Sequence, residues 1–127
     1  MKSNYSYTFK LLALAAAASN SDKIEMEKGI DFTAEGISFK VFDTATKTVV
    51  ADPYVLVNFK PTGSAGTLLD ESCPIGNVAG SGETPHVINT PWKFNGNTSP
   101  VLEAENKTAA AVDIYVTLHG YRENEGI

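Results

Sequence analysis

Ala111-Val112-Asp113-Ile114-Tyr115-Val116-Thr117-Leu118-His119-Gly120-Tyr121-Arg122 is the stretch whose reading decides the fold. Val112, Ile114, Val116 and Leu118 fall on one face of an extended chain. Asp113, Tyr115, Thr117, His119 and Tyr121 fall on the other. A strict period of two, rich in β-branched and aromatic residues, predicts a strand with one face buried.

Working outward, the same signature returns in shorter pieces. Val101 to Glu105 alternates, and Asn106-Lys107-Thr108 reads as the turn of a hairpin joining it to the last strand. Pro91-Trp92-Lys93-Phe94 puts Trp92 and Phe94 on one face, with Trp92 expected as a core plug. Tyr54 to Phe59 is a strand opened by Pro53, where a missing N–H is tolerated. Asp43 to Thr48 reads as a hairpin loop and Pro61 to Gly66 as a loop. Residues 67–99 read mainly as long connections with one or two short strands. Ile37, Phe39 and Val41 alternate after a break at Gly36, and Gly29 marks a bend before Ile30 and Phe32. Ile24 and Met26 point inward in a strand from Lys23 to Glu27, after a turn at Ser19-Asn20-Ser21-Asp22. The sum is an all-β chain: an antiparallel sandwich of about eight strands, jelly-roll-like, with an N-terminal arm or first strand.

Residues 1–18 divide from a sandwich domain at 19–127. Tyr5, Tyr7 and Phe9 alternate with Ser6, Thr8 and Lys10, which is strand periodicity. The Leu-Ala run that follows either continues the strand or forms a short helix. The competing reading is a secretory signal, with Lys2 ahead of Leu11-Leu12-Ala13-Leu14 and an alanine run before Ser19. The apolar run is too short to span a bilayer.

Composition narrows the function. At 127 residues the chain suits one domain that needs no metal or disulfide to fold. The net charge is −5, and Lys and Arg are scattered without a basic run, so nucleic acid is not an expected partner. Cys73 is alone, which rules out an intrachain disulfide, and it reads as a small half-buried residue before Pro74.

Catalytic patterns are missing. No Gly-x-Ser-x-Gly elbow occurs, and Gly63 to Gly66 and Gly80 to Gly82 lack the Lys and strand–helix setting of a phosphate cradle. No Cys or His spacing resembles a zinc site. Asp113 and His119 would lie roughly 20 Å apart on one strand. Asp70 and Glu71 sit outside any calcium-loop pattern. Glu25, Glu27, Glu103 and Glu105 read as solvent-facing strand residues. The sequons at Asn4, Asn97 and Asn106 are expected by chance in a Ser/Thr-rich chain. The expectation is a non-enzymatic protein without cofactor. Its candidate interaction residues are the aromatics Tyr5, Tyr7, Phe9, Tyr115 and Tyr121.

A resemblance adds to this. The run Thr90 to Phe94, the polar turn at Asn97-Thr98-Ser99, the strand from Val101 and the ending Leu118-His119-Gly120-Tyr121 together resemble small β-sandwich virion structural proteins of tailed bacteriophages. The loop at Ala18 to Asp22 followed by an alternating strand and Asp31-Phe32 is similar too. The likeness runs from about Phe9 to Arg122, departing in a short Asp31–Ile37 connection and in the tail from Glu123 to Ile127. It implies a capsid decoration protein on the virion surface, a homo-oligomer bound to the major capsid protein lattice or to other virion proteins. In that setting the arm bearing Tyr5, Tyr7 and Phe9 would add as a strand to a neighbour's sheet. Deleting residues 1–10 should then abolish association while leaving the sandwich folded. The alternative is a secreted carbohydrate- or surface-binding sandwich with its first 18 or so residues removed.

Overall fold

The structure, a computed structural model, describes residues 2–25, 29–50, 53–60, 73–81, 86–94, 96 and 99–124. The protein is an all-β sandwich. Among the described residues the strands are β1 (Lys2–Leu14), β2 (Ser19–Lys23), β3 (Ile30–Asp43), β4 (Val55–Lys60), β5 (Cys73–Pro74), β6 (Gly80–Ser81), β7 (His86–Phe94), β8 (Val101–Asn106) and β9 (Val112–Asn124). A single helical turn, α1 (Ile75–Val78), follows β5. Among the described residues seven strands, not eight, have five residues or more, and they form sheets of four and three.

One sheet runs β1-β9-β3-β7, with β6 pairing in parallel beside β7 on β3; the other runs β2-β8-β4-β5. The pairs nest along the chain. β1 pairs β9, β2 pairs β8, β3 pairs β7 and β4 pairs β5, every one antiparallel. A long two-stranded ribbon has thus been rolled so that successive pairs lie in opposite sheets, which is jelly-roll winding. The two-residue β5 holds the place of an eighth strand.

Period-two alternation positions the core. Phe9 and Leu11 from β1, Ile37 and Val41 from β3, and Val112, Ile114, Val116 and Leu118 from β9 face Val55, Val57, Phe59, Leu102 and Ala104 of the opposite sheet. Phe9 and Phe59 meet across the sandwich, ring centroids 6.0 Å apart. Trp92 is half-buried and rests on Phe59 at 5.4 Å, at the border of the core.

Several local expectations are corrected. Ser19 to Asp22 is the strand β2, not a turn, because pairing with β8 at five positions outweighs the poor strand propensity of Ser, Asn and Asp. The reversal lies just before it, where Ala18 N–H donates to the Ala15 carbonyl and Ala17 has φ 60°. Gly36 does not break the chain: β3 runs through from Ile30 to Asp43, absorbing an extra residue as a bulge between Ala34 and Gly36. The last two strands are not a hairpin. β8 belongs to one sheet and β9 to the other, so the turn after Asn106 crosses the sandwich edge. The Asp43–Thr48 loop does close a hairpin, with Phe42 bridged to Val49.

Candidate functional site

The predicted aromatic set does not form one surface. Tyr5, Tyr7 and Phe9 share the inner face of β1, whereas Tyr115 and Tyr121 lie on the outer face of β9. Phe9 is 0% exposed and belongs to the core, which removes it from any contact surface of the folded chain. Tyr7 is half-buried and packs edge-on against Phe32, centroids 4.8 Å apart. Tyr5 is 41% exposed at the rim, with the Arg122 guanidinium 4.3 Å above its ring centroid.

Nor is the N-terminal segment a free arm. Lys2 to Leu11 pairs continuously with Ile114 to Glu123 before a bulge that ends at Leu14. Removal at Ser19, as the secretion reading requires, would strip Phe9, Leu11 and Leu14 from the core.

β1 nevertheless ends the four-stranded sheet, so one of its edges faces away from β9. In an antiparallel pair the backbone groups of alternate residues point to the partner or away from it. Lys10 N–H points away, since it donates to Asp22 Oδ2 at 2.8 Å. With no bulge before Leu11, the backbone N–H and C=O of Asn4, Ser6 and Thr8 point the same way. None of them has a backbone hydrogen-bond partner among the described residues. The strand carries no proline and no bulge over this stretch, the usual devices that blunt an edge.

Beside that edge lies the outer face of the sheet, which spans β1, β9 and β3. Its rows are Lys10–Tyr115–Lys40, Thr8–Thr117–Ser38 and Ser6–His119–Gly36. Thr8 and Thr117 hydroxyls pair at 3.1 Å. His119 clips three strands together, Nδ1 at 3.3 Å from Ser6 Oγ and Nε2 at 2.8 Å from Ser38 Oγ. Sequence reasoning missed this clip, because the register that joins the residues is not local. A hydroxyl–imidazole contact is formally the start of a nucleophilic pair. Here Ser38 is 5% exposed and Nδ1 faces a serine hydroxyl, so the geometry fastens strands rather than presenting a nucleophile.

Asp113 anchors the far end of this face. It is buried and accepts Ala13 N–H at 2.8 Å, Thr44 Oγ1 at 2.9 Å and Lys47 Nζ at 2.9 Å. The Ala13 amide, then Lys47, then Thr44 hold its carboxyl below the usual aspartate value, against an opposing push from burial.

Among the described residues no three His, Cys, Asp or Glu side chains gather as metal ligands, and no helix is long and apolar enough to cross a membrane. The Pro61–Gly66 loop, Asp70, Glu71 and the sequon at Asn97 lie outside the described residues, as does the side chain of Cys73.

The chain matches no family model and no curated protein. A solved structure that the chain matches is the core of Drosophila NLP, in a crystal structure described for pentamer formation and histone binding. It shares 16% identity over 95% of this chain and 98% of that one, with a TM-score of 0.41. At that level the likeness assigns no residue and no partner here.

Proposed function

We propose that this chain is a non-enzymatic structural module, a capsid decoration protein of a tailed phage that attaches to the major capsid protein lattice. The observation that carries the reading is the open edge of β1. Asn4, Ser6 and Thr8 offer backbone donors and acceptors in register, and an extended segment of a capsid subunit would add there as a further strand. This modifies the arm hypothesis: β1 stays in its own sheet and receives a strand instead of donating itself. The sequence resemblance to virion proteins supports the choice of partner.

Proline at an outward-facing position tests the reading. Thr8→Pro removes an N–H that no partner among the described residues uses, so the sandwich should keep its circular dichroism. Full-length protein should co-sediment with shells assembled from the major capsid protein, and Thr8→Pro should lose most of that binding. Equal binding by both, or none by either, would overturn the proposal. Glycan binding by a secreted protein that begins at Ser19 would favour the alternative.

A further inference from the structure

The side of the sandwich that carries the open edge of β1 carries a second sheet edge. β2 ends the other sheet as β1 ends its own, and the turn between them sets the two edges side by side. Ile24 N–H donates to the Pro100 carbonyl and Asn106 N–H to that of Ala18. In the register between these bonds, the backbone groups of Asn20 and Asp22 point to β8, and those of Ser19, Ser21 and Lys23 point away from it.

The two edges are treated differently. On β2, Ser21 N–H donates to Asn20 Oδ1 at 2.8 Å and Lys23 N–H to Asp22 Oδ1 at 3.0 Å. The other oxygen of Asp22 crosses to β1 and takes Lys10 N–H at 2.8 Å. One carboxylate thus occupies an outward donor on each edge. Asn20 and Asp22 stand opposite the buried Ala104 and Leu102, at inward positions of β2. A charged residue at an inward position of an edge strand is one of the devices that keep other strands off. That use accounts for Asn and Asp in a strand they would not form by propensity. An added strand must bring a carbonyl oxygen to each outward N–H. At Lys10, Ser21 and Lys23 an oxygen already stands there, and at Lys10 and Lys23 it belongs to a carboxylate, the stronger kind of acceptor. At Asn4, Ser6 and Thr8 none does among the described residues.

We infer that Asp22 is the stop that ends the receptive edge of β1 and, with Asn20, closes the edge of β2. An incoming extended segment then has one place to add on this side of the sandwich, along residues 3–9, and it ends before Lys10. Its side chains alternate between the face of Asn4, Ser6 and Thr8 and the side of Tyr5, whose ring is 41% exposed. The segment that fits is therefore a short strand of the capsid subunit in which polar residues alternate with apolar ones. The inference rests on the reading of β1 as a strand acceptor, and it names the residues that set the limit of the added strand.

Amide hydrogen exchange of the full-length chain, followed by NMR and corrected for intrinsic rates, is the test. In the free wild type, Lys10, Ser21 and Lys23 should exchange about tenfold more slowly than Asn4, Ser6 and Thr8, the protection that one hydrogen bond of ordinary net strength gives. Asp22→Ala should bring Lys10 and Lys23 up to the fast group and leave Ser21 slow, with unchanged circular dichroism. Asn20→Ala should release Ser21 alone. Equal rates across these amides in the wild type, which needs no variant to fold, would overturn the inference. So would variants that release none of them. The same exchange is then measured on shells assembled from the major capsid protein. Bound wild type should gain protection at Asn4, Ser6 and Thr8 and none at Ser21 or Lys23. Bound Asp22→Ala should gain it at Lys10 as well, because the added strand can run on. A wild-type footprint on β2, or a Lys10 amide that stays fast in bound Asp22→Ala, would sink the stop and leave the strand-acceptor reading standing. A wild type that does not bind the shells would overturn the acceptor reading and the stop with it.

Discussion

Asp113 Oδ1 lies 2.8 Å from the backbone nitrogen of Ala13, inside the bulge where β1 departs from regular pairing with β9. Ala13 sits there at φ 53°, a left-handed conformation that costs a non-glycine residue on the order of 1 kcal/mol. The carboxylate holds that turn in place and at the same time ties down the β3–β4 loop through Thr44 and Lys47.

Asp113→Ala should therefore lower stability by about 2–3 kcal/mol, mainly through the Ala13 amide and Thr44 hydroxyl left without an acceptor. The exposed Lys47 contributes less. The pH dependence follows from the sign of the shift. Folding lowers the Asp113 pKa, so its contribution is present above the unfolded aspartate value near 3.9 and is lost as pH falls through the folded value. Urea titrations from about pH 6 down to pH 2 should show a steeper loss for wild type than for Asp113→Asn. Parallel curves would remove Asp113 as the source.

Gly120 gives physical content to the Leu-x-Gly-Tyr ending. A Cβ there would fall 1.8 Å from the Thr33 carbonyl oxygen, beside the bulge that brings the β3 backbone close. Backbone cannot yield as a flexible side chain would, so Gly120→Ala should cost about 3 kcal/mol. Thermal unfolding would reveal it, and a melting temperature unchanged within a degree or so would contradict the close approach.

Asn106 is the polar counterpart. Fully buried, it donates Nδ2 to the carbonyls of Leu14 at 2.9 Å and Ala110 at 2.8 Å, and its Oδ1 accepts from Thr108 N–H and Oγ1. The side chain thereby joins the end of β1 to the β8–β9 crossing. Asn106→Ala should destabilise by about 2–4 kcal/mol, and Asn106→Asp by a comparable amount because it replaces the donor with a charge. Chemical denaturation of the two variants measures this, and a near-neutral alanine would mean the crossing is held by its backbone alone.

Such residues explain what was legible beforehand. β9, β8 and β4 could be read because each buries one face and alternates cleanly, as Val112 to Leu118 does. Ser19 to Lys23 could not, since its strand character comes from β8 and not from its own composition. Alternation placed Tyr5, Tyr7 and Phe9 on one face correctly, but it cannot say which face is inside, and for β1 it is the aromatic one. The Ser6–His119–Ser38 clip and the open edge both depend on β9 lying between β1 and β3, a long-range fact that no local pattern carries.

The placement of Phe9 also reverses an expectation about truncation. A free arm could be deleted without harm to the sandwich. As an integral strand, residues 1–10 supply a wholly buried phenylalanine facing Phe59 and most of the backbone pairing along one side of β9. Phe9→Ala alone should cost about 3–5 kcal/mol, a large share of what a domain of this size has in total. Deleting residues 1–10 adds the loss of the paired backbone and leaves a long edge of β9 unpaired. The truncated chain should therefore be unfolded or aggregated, with the strand signal of its circular dichroism lost. A cooperative unfolding transition in that truncated chain would mean that β1 is dispensable, and the core assigned here would have to close without it.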